Sequence, residues 1–484
     1  MIPDFIRTLP TNIRLWVAPN IRAFLGDQQP RLWLMSLFVG IAVTIAAILF
    51  RELIGLVQMP WLKDSSERII SAARDTHWLY IFLAPVCGGL VVGIMLQTLM
   101  PQRRTLAVAD VIEARALTGR KLGLREGFTS LIVTAISLGS GASAGREGPI
   151  IHFGATLASS LANFSGLPEW SKRTLLGAGV AAAISASFNA PLAGVLFAHE
   201  VILGHFALRA FVPIVIASSG AAIISRAWFG EAAAFLVPEY SIASYWEFPA
   251  FALLGLVSAI VAIAFQFSLF SADFLSRKIT MPLWLRPVLG GVAVGGIGVF
   301  LPQVLGVGYE ATDLALWGSL PLSLMLILIV AKTLATAITL ASRFGGGVFS
   351  PALYLGAMTG GAFGIMAAAV LPALASSQAL YSILGMGQAG PHRAVVRNAR
   401  VMDFMTPPDP EIEPEAFEPE PGNSSLRPTD TLDTALRTFD AGGHTRLPVI
   451  DEVDGTKIIA WAEQVKALAY FNKRLIDASE EEHR

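Results

Sequence analysis

GREGPIIHFGA, residues Gly145–Ala155, and GVFSPALYLGA, residues Gly347–Ala357, are two copies of one pattern, Gly-x-x-x-Pro-x-x-x-x-Gly-Ala. The copies begin 202 positions apart, and each follows a glycine-rich turn and opens an apolar run of small residues. Glycine lets a backbone approach a ligand closely, and a proline such as Pro149 or Pro351 is accepted in the first turn of a helix, where its missing N–H is no loss. The pattern therefore predicts two helix N-termini, each at the end of an irregular loop.

Two helix N-termini of this kind are suited to an anion. Their free N–H groups and the positive end of the helix dipole both attract negative charge. The first glycines, Gly145 and Gly347, are separated by about the length of half a membrane transporter, and transporters place ion sites where half-helices end near the bilayer midplane. The pair of motifs predicts an anion site between the two halves of a membrane protein.

The composition is that of a polytopic membrane protein. Of the 484 residues, 54% are hydrophobic and 15% are charged, and the mean hydropathy is +0.60, whereas soluble domains carry about 25% charged residues. Two shorter segments, Gly127–Ser140 and Ala190–Leu203, are broken by Gly, Pro or Ser, which is tolerated at membrane depth only inside protein or beside a cavity. Apolar runs that span a bilayer, or nearly so, are Leu32–Leu49, Ile81–Met100, Ala210–Ser225, Phe251–Phe270, Pro287–Leu301, Leu320–Leu340 and Pro351–Leu371.

Polar segments bound the predicted transmembrane domain, residues 32–388. Residues 1–31 carry four arginines against two aspartates, which by the positive-inside rule predicts a cytoplasmic segment. Residues 389–427 are basic at first and then become a Pro- and Glu-rich linker. Residues 428–475 show the patterns of a helix, two short strands and a second helix, and residues 476–484 form a charged tail.

Several classes of function have no support in the sequence. The one cysteine, Cys87, excludes an internal disulfide and a CxxC metal site, and the net charge of −1 gives no sign of nucleic-acid binding. No Walker A sequence, nucleophile elbow or metal-ligand cluster is present, so we predict neither an enzyme nor a cofactor or metal site. Isolated His152 and His205 are interpreted as packing residues, and Lys332 as a side chain that snorkels or pairs structurally.

Glu147 is the strongest candidate for function. It stands in the first copy, on what should be the first turn of a membrane helix, where a carboxylate is stabilised by the dipole and competes with an anion for the same N–H groups. An ionisable residue inside the membrane is a functional hypothesis by default. We interpret Glu147 as a gate; the alternative is a structural ion pair with Arg146.

The second copy differs at the position of the carboxylate. It has Phe349 where the first copy has Glu147, so Val348 and Phe349 offer an anion only their backbone N–H groups. Outside the two copies, Glu200 follows FNAPLAG and has two interpretations of equal weight. It is either a carboxylate of a proton relay, or a residue at a membrane interface or in an ion pair.

Together GSGASAGREGPIIHFGA, FNAPLAGVLFAHEVILG and GGGVFSPALYLGAMTGGAFG resemble the CLC family of chloride channels and proton-coupled chloride antiporters, over about residues 32–388. The resemblance implies an all-α fold of two inverted repeats with tilted and re-entrant helices, and a homodimer with one anion pathway per subunit. It implies that Glu147 is the external gating glutamate. The chloride-binding backbone amides that it implies are those of Arg146, Glu147, Gly148, Val348 and Phe349.

The sequence departs from the family pattern in the pathway. The family's loop that brings a serine to the central anion should fall at Thr105–Asp110, which here reads TLAVAD without a serine. The internal proton-transfer glutamate of the antiporters falls at Val201, one position after Glu200. The match ends at YSILGMGQAG, Tyr381–Gly390, so the second repeat is predicted to be truncated and to lack the family's anion-binding tyrosine.

The tail resembles a single CBS domain. In place of the Thr and Asp that often follow the second strand in nucleotide-binding units, this chain has Glu463 and Lys466, which argues against nucleotide binding. For the whole chain we predict chloride transport gated by Glu147, in a multi-pass protein of a bacterial inner membrane with both tails cytoplasmic. The alternatives are a proton-coupled halide antiporter, and a non-conducting or regulatory membrane subunit.

Overall fold

A computed structural model describes residues 28–66, 68–116, 122–230, 247–370 and 378–387, with scattered positions of 234–245 and of the tail between 425 and 467. The predicted segments 1–31, 389–427 and 476–484 therefore lie almost wholly outside the described residues. Within the described residues the chain is mostly helical. The helices are α1 (Gln28–Leu62), α2 (Ile69–Arg74), α3 (Trp78–Leu99), α4 (Val108–Ala116), α5 (Leu124–Gly139), α6 (Glu147–Phe164), α7 (Glu169–Phe188), α8 (Pro191–Phe197), α9 (Leu208–Phe229), α10 (Glu247–Lys278), α11 (Leu285–Phe300), α12 (Tyr309–Leu316), α13 (Leu322–Ala341), α14 (Phe349–Val370) and α15 (Gln378–Gly387).

Six of the described helices are long and apolar enough to cross a membrane: α1, α3, α9, α10, α13 and α14. The run predicted at Pro287–Leu301 becomes α11, which has 16 residues and stays below that length. The broken segment at Ala190–Leu203 becomes α8 and a π-helical turn, Ala198–Leu203. These spans confirm the prediction of a multi-pass membrane protein.

One compact unit comprises the described residues within 1–49, 122–124 and 150–233. Its helices touch through small residues, as a transmembrane bundle requires, because lipid gives no hydrophobic drive for helix association. A Cβ placed on Gly154 of α6 would lie 2.6 Å from the carbonyl oxygen of Gly179 in α7. A Cβ on Gly194 of α8 would lie 2.5 Å from the carbonyl oxygen of Ala181. Only glycine fits at these contacts.

The second compact unit comprises the described residues within 50–121, 125–149 and 234–484. Its helices approach as closely: a Cβ on Gly295 of α11 would lie 2.6 Å from the carbonyl oxygen of Phe82 in α3. A Cβ on Gly356 of α14 would lie 2.6 Å from the carbonyl oxygen of Gly385 in α15. Both motif starts, Gly145 and Gly347, belong to this unit.

The tail contains two antiparallel strands, β1 (Arg446–Ile450) and β2 (Ile458–Glu463). They match the two strands predicted there, and Leu426 extends the pairing: its N–H donates to Pro448 and its carbonyl accepts from Ile450, both at 2.9 Å. Sheet pairing thus begins before the predicted start at residue 428. This strand pair is compatible with a CBS-like tail.

An internal repeat is visible in the turns that lead to the two motifs. The turn after α5 and the turn after α13 have the same backbone pattern at positions 202 apart: Ala142 N–H donates to Ser137 in the first (3.0 Å), and Phe344 N–H donates to Thr339 in the second (3.2 Å). Gly141 and Arg343 take the same left-handed conformation, with φ of 99° and 70°. The two halves fold these turns alike although their sequences differ.

The two turns also hold each other reciprocally. The N–H of Ser143, in the first turn, donates to the Thr339 hydroxyl on α13 (3.1 Å). The N–H of Gly345, in the second turn, donates to the Ser137 hydroxyl on α5 (2.9 Å). Donors and acceptors are each 202 positions apart, as a pseudo-two-fold axis between the halves demands.

Candidate anion site

The two copies of the motif meet at their first residues. Gly145 N–H donates to the carbonyl of Gly347 at 2.6 Å, and Gly347 N–H donates back to the carbonyl of Gly145 at 2.8 Å. Glycine suits both sides of this antiparallel bridge: a Cβ on Gly145 would lie 2.8 Å from Glu147 Oε2, and a Cβ on Gly347 would lie 3.2 Å from the nitrogen of Gly148. The structure thus brings together the two motifs that the sequence places 202 residues apart.

Each copy opens a helix two residues after its first glycine, as predicted. Helix α6 begins at Glu147 and α14 at Phe349, so Pro149 and Pro351 both lie in a first turn. The first N–H groups of a helix have no acceptor within it. Both helices therefore direct amide donors and a positive dipole end toward the bridge.

The Glu147 carboxylate lies at this junction and is 1% exposed. Oε1 accepts a hydrogen bond from the Tyr309 hydroxyl at 2.7 Å, and Oε2 accepts one from the Ser350 hydroxyl at 2.5 Å. Hydrogen bonds to an ionised acceptor are roughly twice as strong as those between neutral groups. Both carboxylate oxygens are therefore held by hydroxyl donors from the second half of the chain.

Arg146 is a more distant partner of the carboxylate. Its Nε lies 3.9 Å from Glu147 Oε1, beyond hydrogen-bond distance, and its guanidinium carbon lies 4.8 Å from the centre of the Tyr309 ring. The planar cation thus covers the ring whose hydroxyl binds Glu147. The ion pair expected as an alternative for Glu147 is present, but the two hydroxyl contacts are shorter.

The second copy supplies the opposite side of the junction. Val348 is half-buried and Phe349 is 37% exposed, and neither carries a polar side chain. Ser350, the next residue, is 2% exposed and carries the hydroxyl that binds Glu147 from this side. The first copy has Gly148 at the equivalent position.

Two further sequence-predicted positions can now be placed. The loop Thr105–Asp110 reaches the junction with an apolar side chain: the Ala107 methyl would lie 3.5 Å from a Cβ placed on Gly148. Its Asp110 is bound by Arg104 at 2.6 Å and by the N–H of Ala107 at 2.9 Å, so this carboxylate serves the loop itself. Glu200 is exposed on the π-helical turn of the other compact unit.

Tyr309 and Ser350 are the site residues that the sequence did not reveal. Ser350 could have been found by comparing the copies, because it replaces a glycine directly before the shared proline. Tyr309 carries a weaker signal: it stands 202 positions after Ala107, in the second-half counterpart of the loop where the family's serine was expected. The first-half loop has Ala107 at this position, and the second-half segment has the hydroxyl of Tyr309.

Of the two roles expected for Lys332, snorkelling is wrong, whereas structural pairing is seen with backbone carbonyls. Lys332 is fully buried rather than snorkelling, and it lies on α13 with its ammonium 3.0 Å from the carbonyl oxygen of Val304 and 2.9 Å from that of Gly306. The same nitrogen lies 5.2 Å from the centre of the Tyr354 ring. The contacted segment leads directly to Tyr309.

The spans, the internal repeat and the paired half-helices define a membrane transport protein. The family model described as "Voltage gated chloride channel" matches residues 88–389. A ClcB-like chloride channel protein of Ralstonia nicotianae is 31% identical over 353 residues, which are 72% of this chain and 82% of that protein. The H(+)/Cl(-) exchange transporter ClcA of Vibrio cholerae is 27% identical, over 76% of this chain and 80% of that protein. The chain belongs to the voltage-gated chloride channel family.

The solved structures confirm the fold. A slow cyanobacterial Cl-/H+ antiporter superposes with a TM-score of 0.66 at 21% identity, covering 74% of this chain and 85% of that one. This likeness supports the predicted CLC-type all-α architecture. The chain spans about half the length of two plant relatives, CLC-e and CLC-f of Arabidopsis thaliana, which are 31% and 30% identical to it.

Proposed function

We propose that the protein moves chloride across a membrane through a pathway that the Glu147 carboxylate gates. The observation that carries the proposal is the position of this carboxylate. It is buried where two helix N-termini meet and takes both nearby hydroxyl donors, Tyr309 and Ser350. An anion bound at this junction competes with the carboxylate for the hydroxyl and amide donors there.

In this mechanism the carboxylate and chloride exchange places. Chloride entering the junction is bound by the amides of Arg146, Glu147, Gly148, Val348 and Phe349, which carry partial rather than full positive charges. Such donors hold an anion strongly enough for entry and weakly enough for release. The nearby guanidinium of Arg146 lowers the cost of bringing an anion into a site of low dielectric.

Two modes of transport fit this gate. In a channel, Glu147 swings aside and chloride flows down its gradient. In an exchanger, the displaced carboxylate takes up a proton before it returns, so each cycle couples chloride to proton movement. Relatives include proteins named as ClcB-like channels and as an H(+)/Cl(-) exchange transporter. For the exchanger, the proton route on the far side rests on Glu200, since Val201 cannot carry a proton.

The test is chloride efflux from liposomes containing the purified protein, compared with Glu147→Ala and Glu147→Gln. We expect chloride efflux from both variants to exceed wild type by about tenfold or more, because neither retains a competing negative charge; one tenfold step corresponds to about 1.4 kcal/mol. Proton movement driven by a chloride gradient, measured in the same vesicles, distinguishes an exchanger from a channel. An exchanger loses that proton movement in both variants.

The control is Glu169→Gln, a substitution at an exposed glutamate that also begins a helix, α7, and pairs with Lys172. It should leave chloride efflux at the wild-type level. Equal efflux from wild type, Glu147→Ala and empty vesicles would contradict the proposal and favour a non-conducting or regulatory subunit. That alternative predicts co-purification with a full-length relative.

Assembly and location complete the proposal. We place the protein in a bacterial inner membrane with both tails cytoplasmic, as a homodimer with one pathway per subunit. Cross-linking in native membranes tests the dimer. In the tail, Lys466 lies 3.0 Å from Glu463, and this exposed pair occupies the positions where a nucleotide-binding unit often has Thr and Asp. We therefore expect no nucleotide dependence of transport.

A further inference from the structure

We propose that Lys332 is a positioning residue of the gate: its buried ammonium fixes the segment Val304–Gly308 so that the Tyr309 hydroxyl reaches Glu147. The inference rests on the proposed function of Glu147, and it assigns a role to a charge that the transport mechanism does not otherwise use. Lys332 lies in the apolar helix α13 and is fully buried.

A buried ammonium is expensive and needs compensating partners, either an opposite charge or backbone carbonyls. Among the described residues, the partners of the Lys332 nitrogen are the carbonyl oxygens of Val304 and Gly306 and the Tyr354 ring. Two carbonyl acceptors only two positions apart in the chain fix the curvature of that short segment. These hydrogen bonds offset part of the cost of burying the charge, and they also restrain one short piece of backbone.

The segment needs such a restraint because its conformation is unusual. Gly306 and Gly308 both have positive φ, 60° and 94°, and Gly308 precedes the first residue of α12. Glycine has the largest conformational freedom to lose. At the far end, Glu310 accepts the N–H of Ile70 at 2.7 Å and contacts Ser71, at the start of α2. Tyr309 therefore lies between two anchored points.

The first half of the chain supports the assignment independently. Ser130 of α5 stands 202 positions before Lys332, and its hydroxyl accepts the N–H of Leu106 at 2.8 Å. Helix α5 thus binds the segment before α4 through Ser130, and α13 binds the segment before α12 through Lys332, at the equivalent position. In the first half that segment ends at Ala107, and in the second it ends at Tyr309, which carries the hydroxyl.

The test is a double-mutant cycle on chloride efflux, with Lys332→Met, Tyr309→Phe and the double variant. We expect each single variant to leak about tenfold more chloride than wild type, and the double variant to leak no more than Tyr309→Phe. In a Glu147→Ala background Lys332→Met should change nothing. Lys332→Arg, which keeps the charge and the donors, should leak less than Lys332→Met.

Two outcomes overturn the inference. Additive effects of Lys332→Met and Tyr309→Phe, or an effect that persists in Glu147→Ala, mean that Lys332 acts on the anion through its charge. If Lys332→Met does not fold, Lys332→Gln takes its place in the cycle, because it removes the charge and shortens the side chain that reaches both carbonyls but keeps a polar donor.

A second readout separates this inference from the gate itself. Amide hydrogen exchange of residues 302–309 should be about tenfold faster in Lys332→Met, with residues 285–300 of α11 as the internal control. Unchanged exchange contradicts the positioning role even if Glu147 gates. Faster exchange together with an inert Glu147→Ala contradicts the gate and leaves the anchoring intact.

Discussion

The two motif copies have one backbone and different side chains. Gly145 and Gly347 pair with each other, and α6 and α14 both begin two residues later. Yet the first copy contributes the carboxylate of Glu147, whereas the second contributes the hydroxyl of Ser350 that holds it. A symmetric scaffold has become an asymmetric site, in which one half provides the plug and the other half provides the donors.

The largest effect should come from removing the contribution of the second copy. Ser350→Ala deletes a hydrogen bond to a carboxylate, and such bonds contribute about 1.5–3 kcal/mol. We expect about 10- to 100-fold more chloride efflux, because the closed position of Glu147 loses one of its two hydroxyl donors. Ser140→Ala is the matched control: its hydroxyl is also buried but bonds the carbonyl of Ser137, one turn earlier. Equal effects of the two variants would mean that efflux does not depend on the hydrogen bond from Ser350 to Glu147.

The next test adds a methyl group to the first copy. In Gly145→Ala the new Cβ would lie 2.8 Å from Glu147 Oε2 and 3.1 Å from the carbonyl oxygen of Gly347. Overpacking of this kind costs about 1–3 kcal/mol, so we expect a lower melting temperature in detergent and a displaced carboxylate with more efflux. Gly148→Ala, whose nearest contact would be an ordinary 3.4 Å, should keep the wild-type melting temperature.

The reciprocal turns offer a test of the symmetry itself. Ser137→Ala and Thr339→Val each leave one buried N–H, of Gly345 or Ser143, without its acceptor. An unsatisfied buried donor costs about 1–3 kcal/mol. Because the contacts are equivalent, we expect losses of unfolding free energy that agree within about 0.5 kcal/mol.

The control for the turns is a threonine whose hydroxyl bonds only its own helix. Thr156 of α6 is fully buried and donates to the carbonyl of His152 at 2.8 Å. Thr156→Val should therefore cost less than either turn variant in the same thermal-unfolding measurement. A loss at Ser137 but none at Thr339 would show that only one turn depends on its partner.

The smallest effects concern the left-handed residue of each turn. Gly141→Ala places a side chain at a φ of 99°, which costs about 1 kcal/mol. At the equivalent place the second turn already has Arg343 at a φ of 70°, with its guanidinium 3.6 Å from Asp273. Arg343→Gly relieves this conformation but also removes a half-buried ion pair, so we expect the melting temperature to change little. A fall in both variants would mean that the turns are not equivalent.

Much of the fold follows from local pattern. The apolar runs predict the spans α1, α3, α9, α10, α13 and α14, and the two Gly-x-x-x-Pro motifs predict the starts of α6 and α14. Each rule is local: about 20 apolar residues for a span, and proline in a first turn. The predicted anion site shares this origin, because a helix N-terminus is a property of one segment.

The contacts across the sequence could not be predicted in the same way. Tyr309 lies 162 positions from Glu147, and Lys332 lies 28 and 26 positions from the carbonyls that it binds. For a lone lysine in an apolar run, snorkelling and structural pairing both stay open, because the sequence does not show whether backbone acceptors are near. Its burial is decided by packing.

The sequence by itself determined that this protein crosses the membrane several times, that it carries two matched half-helix starts, and that Glu147 is the ionisable group placed at one of them. Hydropathy and the residue preferences of helix starts depend only on neighbouring residues, so the sequence shows both. Only the tertiary structure decided that Gly145 pairs with Gly347 and that Tyr309 and Ser350 hold the carboxylate. The physical reason is that hydrogen bonds act over about 3 Å in space, whatever the distance along the chain.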